Sequence, residues 1–93
     1  MIYSLAGRLI EKGDNFAVIE NSGIGFKVFL SKEALRRLGA EGQDVKLFSY
    51  LYVREDSFEL YGFLREEEKG FFEMLISVSG VGPKTALGIM SVD

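Results

Sequence analysis

Hydrophobic and polar positions alternate with a period of two through most of residues 1–64, and apolar residues then recur on one helical face. The chain therefore reads as strands followed by helices. A first strand runs from Met1 to about Lys12, with Tyr3 and Leu5 on one side, until Gly7 and the pair Leu9-Ile10 break the register and predict a bulge. Gly13-Asp14-Asn15 and Asn21-Ser22-Gly23 are turns on either side of a short second strand, Phe16 to Glu20. Ile24, Phe26, Val28 and Leu30 then alternate cleanly with Gly25, Lys27 and Phe29 in a third strand, so the three strands form a meander.

Ser31 can cap a helix over Lys32 to Leu38, with Glu33 in its first turn, Arg36 and Arg37 near its end and Gly39 just past it. Leu35 and Leu38 of that helix would plug a core. After a polar turn around Gly42, a fourth strand from Val45 to Val53 carries Val45, Leu47, Leu51 and Val53 on one face and Phe48, Tyr50 and Tyr52 on the other. Both of its faces are apolar. Arg54-Glu55-Asp56-Ser57 is a charged hairpin turn, and Phe58, Leu60, Gly62 and Leu64 alternate with Glu59, Tyr61 and Phe63 in a fifth strand. Five strands with a short helix between strands 3 and 4 is the element order of an OB-fold, a small Greek-key β barrel that commonly binds oligonucleotides. A different five-stranded barrel is also compatible. Residues 1–64 are assigned to this barrel domain.

The pattern changes at Arg65-Glu66-Glu67-Glu68, where acids favour a helix start and then Phe71, Phe72, Leu75, Ile76 and Val78 give a broad apolar face. The three glutamates fan around the helix axis and cannot converge on one Mg²⁺, so they read as a solvated helix start. Gly80-Val81-Gly82 is a tight turn, and Pro83 and Lys84 open a second helix to about Met90 whose first inward small residue is Ala86. Residues 65–93 are thus an α-helical segment of helix, turn and helix that follows the barrel. Free amides in the turn would meet an anion with the positive end of the second helix behind them, and Lys84 would add a mobile charge. The same residues also fit a plain helical hairpin closed by a Gly-Pro turn.

Composition narrows the chemistry. A 93-residue chain with 47% hydrophobic residues supports one ordinary domain or a small domain with an appendage, and self-association would add stability to a unit of this size. Cysteine and histidine are both absent, which removes disulfides, thiolate nucleophiles and most zinc sites. No catalytic residue, metal site or cofactor is assigned. No apolar run is long enough for a membrane span and no charged-then-apolar leader is present, which predicts a soluble cytoplasmic protein. The formal charge of −3 opposes nucleic-acid binding by bulk electrostatics, so any DNA contact must be local.

The spacing of Leu75, Val78, Gly80, Val81, Gly82 and Ala86 resembles the helix-hairpin-helix motif of DNA repair proteins, which grips backbone phosphates without reading bases. With V-R-E-D at Val53 to Asp56, L-Y-G-F at Leu60 to Phe63 and the Ser79 to Lys84 turn, the whole chain resembles the RuvA family, the Holliday-junction-recognition subunits of the bacterial branch-migration complex. The resemblance implies a non-enzymatic, cytoplasmic homotetramer that holds four-way junction DNA open and flat in recombination and repair. It places DNA contacts at Gly80, Val81, Gly82 and Lys84, and an acidic pin at Glu55 and Asp56 that acts by repulsion. It also implies a separate ATPase motor, RuvB, bound through a carboxy-terminal domain. The family carries a second helix-hairpin-helix and that motor-binding domain beyond the segment matched here, so the chain reads as an amino-terminal fragment that would bind DNA weakly and not support branch migration.

Other readings stay open on the residues themselves. Glu55 and Asp56 also suit a solvated hairpin tip. Phe48, Tyr50 and Tyr52 are either a stacking platform, as in a single-strand-binding OB-fold, or packed under a neighbouring element, which the resemblance favours. A protein-interaction module would explain the acidic balance. A nuclease is disfavoured, because the paired acids of the barrel hairpin share one turn with no histidine nearby.

Overall fold

The structure, a computed structural model, describes residues 1–91. The last two residues of the helical segment read from the sequence lie outside the described residues. In chain order the elements are β1 (Ser4–Lys12), β2 (Phe16–Asn21), β3 (Ile24–Phe29), α1 (Lys32–Arg37), β4 (Asp44–Val53), β5 (Phe58–Phe63), α2 (Glu66–Ile76) and α3 (Pro83–Met90). The strands close into a barrel in the order β1-β2-β3-β5-β4, consistent with an OB-fold.

Closure depends on β1. Its first half pairs antiparallel with β4, from Ser4 opposite Phe48 to Arg8 opposite Asp44, and its second half pairs with β2, from Arg8 opposite Glu20 to Lys12 opposite Ala17. Between Leu9 and Glu11 the register shifts, which places the bulge where the apolar pair Leu9-Ile10 interrupts the alternation. A bulge adds bend and twist, so one long strand can serve both sides of the barrel. A short parallel pairing of β3 with β5, Val28 opposite Leu60 and Phe29 opposite Tyr61, completes the ring.

The barrel interior is filled by Leu5, Leu9, Ala17, Ile19, Val28, Leu30, Leu47 and Leu60, and α1 seals one end with Ala34, Leu35 and Leu38. Ser31 caps α1 as its sequence predicts, its Oγ accepting from the Ala34 N–H at 3.1 Å. Gly62 is dictated by close approach: a Cβ there would lie 2.6 Å from Val28 Cγ1 and 3.1 Å from Leu47 Cδ1.

The second apolar face anticipated for the fourth strand has a partner outside the barrel. Tyr61, Phe63, Phe72, Ala86 and Leu87 are buried together, with Phe29, Tyr50, Tyr52, Leu75, Ile76, Val81 and Met90 packed around them. Helix α2 therefore lies across the outer faces of β4 and β5. Its apolar face is narrower than the sequence pattern suggests. Phe72 is fully buried and Leu75 and Ile76 partly so, whereas Phe71, Met74 and Val78 are exposed.

The glutamates that open α2 are more than a solvated start, which corrects the sequence reading. Glu68 accepts from Arg37 Nη2 at 2.8 Å and ties α2 to α1, and Glu66 accepts from the Tyr3 hydroxyl at the entry to β1. Glu67 faces Arg65 at 3.6 Å. The three side chains fan around the axis and each finds a different neighbour, because the barrel lies along one side of the helix. Ser91 closes the end of α3 against the start of α1, its Oγ accepting from the Lys32 N–H at 3.1 Å and donating to the Leu87 carbonyl at 2.9 Å.

Candidate nucleic-acid interface

The connection between α2 and α3 is built by hydrogen bonds that step the chain out of one helix and into the next. Ser77 and Val78 N–H donate to the Met74 and Leu75 carbonyls at 3.2 and 3.1 Å, and Val81 N–H donates to the Val78 carbonyl at 3.1 Å. The chain then reverses at Gly80, whose φ of +87° lies in the left-handed region that glycine occupies without strain. Gly82 is different. Its φ of −90° and ψ of 174° are extended backbone open to any residue, so of the two glycines in the turn only Gly80 takes an angle that disfavours a side chain. An added Cβ at Gly82 would meet nothing within 4 Å, so space within the protein does not demand a glycine there either.

Helix α3 begins with Gly82 as N-cap and Pro83 in the first turn, with no side chain capping the start. The Gly82 carbonyl accepts from Ala86 N–H at 2.9 Å. Among the described residues, the N–H groups of Ser79, Gly80, Gly82, Lys84 and Thr85 have no hydrogen-bond acceptor. Such a group of unpaired donors at the positive end of a helix suits an anion. Val81 does not contribute its amide, which is already bonded within the turn. Its side chain instead packs into the outer apolar cluster and anchors the turn.

Lys84 is not the mobile charge suggested by the sequence. Its ammonium donates to Tyr61 Oη at 3.3 Å, lies 3.5 Å from Glu59 Oε2 and sits 4.2 Å over the ring of Phe29. Tyr61 Oη in turn donates to Glu59 Oε1 at 2.7 Å. That hydrogen bond, joined by the Lys84 charge, holds the Glu59 carboxyl below its ordinary range against the opposing effect of burial. Burial, then the same carboxylate, pushes the Tyr61 phenol well above its usual value. Glu59 and Tyr61 were not singled out from the sequence. Their two-residue spacing puts them on the same face of β5 by simple alternation, but only the pairing of β5 with β3 and the position of α3 bring both groups to Lys84.

The β4–β5 turn carries Glu55 and Asp56 exposed to solvent, closed by the Arg54 N–H donating to the Ser57 carbonyl at 2.8 Å. No hydrogen bond or ion pair links these carboxylates to the α2–α3 turn among the described residues. The tip has an apolar edge that strand alternation did not reveal: Val53 and Phe58 pair across it and are 59% and 75% exposed. By contrast, the Tyr50 ring packs against Phe72 at 5.7 Å and the Tyr52 ring against Tyr61 at 6.4 Å. Phe48 meets Tyr3 edge-on at 6.0 Å, with Lys46 above its ring. Among the described residues no cluster of acidic side chains is arranged to hold a metal, and no helix is long and apolar enough to cross a membrane.

A closed five-stranded barrel with a helical pair on its outer face and an unpaired amide turn between those helices belongs to the class of small OB-type barrel proteins. Within that class the profile of the RuvA N terminal domain matches residues 1–62, and the chain belongs to that family. It is 48% identical over 91 residues to the Holliday junction branch migration complex subunit RuvA of Acetivibrio thermocellus, covering 98% of this chain and 45% of that protein. The protein of the same name from Caldanaerobacter subterraneus subsp. tengcongensis is 47% identical over 92 residues, covering 99% of this chain and 49% of its own length. The one from Rickettsia bellii is 47% identical over 91 residues, covering 98% and 44%. The chain thus spans a little under half the length of these curated relatives.

Proposed function

We propose that this chain is a non-catalytic, structure-specific DNA-binding unit that takes part in holding four-way junction DNA for branch migration in recombination and repair. The observation that carries this reading is the α2–α3 turn, where N–H groups without acceptors face outward at the start of a helix that no side chain caps. In this reading α2, the turn and α3 are a helix-hairpin-helix that grips one backbone phosphate through Gly80 and Gly82, with Val81 setting the turn and Lys84 adding charge. Residues 1–64 form the barrel domain and residues 65–93 begin a second domain. The names of the relatives support junction DNA as the ligand.

Glu55 and Asp56 serve as an acidic pin. At about 8 Å in water two unit charges interact by roughly 0.5 kcal/mol, so several carboxylates gathered in a homotetramer would bias strand positions at a junction centre without binding them. ATP hydrolysis belongs to a separate motor, RuvB, engaged through a region beyond this segment, and the complex works in the bacterial cytoplasm. Single-strand binding by stacked bases is disfavoured by the packing of Tyr50 and Tyr52 against the buried rings of Phe72 and Tyr61.

A competition gel shift tests the reading, with labelled immobile four-way junction challenged by excess duplex or single strand of matched sequence at fixed salt. Junction is expected to outcompete both. Preference for single strand would replace this reading by the stacking one, and failure to bind any DNA would favour a protein-interaction module.

A further inference from the structure

The Lys84 side chain has a seat on the barrel. A lysine in the first turn of a helix stands at the positive end of the macrodipole, where a cation is disfavoured and a counter-charge is needed. Glu59 supplies that charge at 3.5 Å, Tyr61 Oη accepts one ammonium proton at 3.3 Å, and the Phe29 ring lies beneath at 4.2 Å. The seat is rigid on the barrel side, since Tyr61 is fully buried and its ring is held by Phe29 at 5.5 Å and Phe72 at 5.3 Å. It is open on the solvent side, where the Lys84 side chain is 51% exposed and that of Glu59 25%.

We propose that Glu59 and Tyr61 form a latch that seats Lys84 on the barrel in the DNA-free protein, and that a DNA phosphate displaces Glu59 from Lys84 when the α2–α3 turn engages. The inference rests on the reading of that turn as a phosphate grip and adds its control. Carboxylate and phosphate are both acceptor-only anions seeking the same three ammonium donors, so one replaces the other at Lys84. Glu59 is then a positioning residue that opposes DNA binding, and Tyr61 keeps the ammonium close to the amide turn after the exchange. An exposed ion pair of this kind contributes little, so its removal should tighten binding by only about two- to fivefold.

The test has a DNA-free arm and a DNA arm, both on the 93-residue chain. In the first, the Lys84 ammonium resonance in NMR spectra is expected to move on Glu59→Gln and on Tyr61→Phe. Failure to move with either overturns the latch whatever the DNA result. In the second, binding to a four-way junction is measured over a salt series for the unaltered chain, Glu59→Gln, Lys84→Ala and the double variant. Lys84→Ala is expected to weaken binding. Glu59→Gln should tighten it about two- to fivefold and steepen the salt slope by up to about one, and should do neither in the Lys84→Ala background. The same gain in both backgrounds, or a loss, overturns the latch while leaving the phosphate grip standing. An unchanged affinity in Lys84→Ala, or no binding by any variant, overturns the grip and the latch together.

Discussion

The ring of Phe72 stacks on the ring of Tyr61, with centroids 5.3 Å apart and planes inclined by 29°. Phe72 comes from α2 and Tyr61 from β5, and both are fully buried, so this contact is where the helical pair is fastened to the barrel. Phe63 at 4.9 Å and Tyr50 at 5.7 Å complete the aromatic surround of Phe72.

Phe72→Ala is accordingly expected to destabilise the protein by about 3–5 kcal/mol, the range for deleting a buried aromatic side chain. Denaturant unfolding followed by circular dichroism checks this. A loss below about 1 kcal/mol would mean that the helices hold to the barrel without the aromatic cluster.

The two glycines of the α2–α3 turn should behave oppositely. Gly80→Ala forces a left-handed residue to carry a side chain and is expected to cost about 1–2 kcal/mol. Gly82→Ala should leave stability within about 0.5 kcal/mol, because its backbone is extended and its surroundings are open. It should nevertheless weaken junction binding, since a methyl group would stand beside the unpaired amides. Thermal unfolding and a binding titration on each variant separate the two effects, and unchanged binding by Gly82→Ala would remove that turn from the contact surface.

Stability should fall at both ends of the pH scale through the Glu59–Tyr61 pair. The Tyr61 phenol is raised in the folded protein, so its contribution is complete below the unfolded value near 10 and is lost as pH rises above it, by at most about 1.4 kcal/mol per pH unit. The Glu59 carboxyl is lowered, so its contribution is present above the unfolded value and disappears as pH falls through the folded one. Tyr61→Phe should remove the Tyr61 part of the alkaline slope, and Glu59→Gln part of the acid slope, in urea melts across pH. Slopes identical to those of the unaltered chain would contradict the pair's linkage.

Neutralising the hairpin tip, with Glu55→Gln and Asp56→Asn together, is expected to change stability by no more than about 0.5 kcal/mol, because both side chains are in solvent. Junction affinity should stay the same or rise, with altered arm geometry measured by fluorescence transfer between labelled arms. A marked loss of affinity would show that these carboxylates make attractive contacts.

The succession of strands and helices along the chain, the α1 cap at Ser31 and the bulge beside Leu9-Ile10 were legible in the sequence because each rests on local chemistry. Alternation needs only a two-residue period, a cap only a hydroxyl at the right offset, and a bulge only an interruption in register. The glycine-rich turn and the acidic hairpin were visible for the same reason. What covers the outer face of β4 could not be read from residues 45–53, since a tyrosine on a strand has the same pattern whether it awaits a base or a helix. Packing of α2 through Phe72 decided it, and the same packing left Phe71, Met74 and Val78 outside. Lys84 shows the division most clearly. Its place in the first turn of α3 follows from Pro83 beside it, but its partners Glu59, Tyr61 and Phe29 sit on two other strands, joined by the β3–β5 pairing that closes the barrel. Electrostatic partnership depends on distance in space, and only the closed tertiary structure sets that distance.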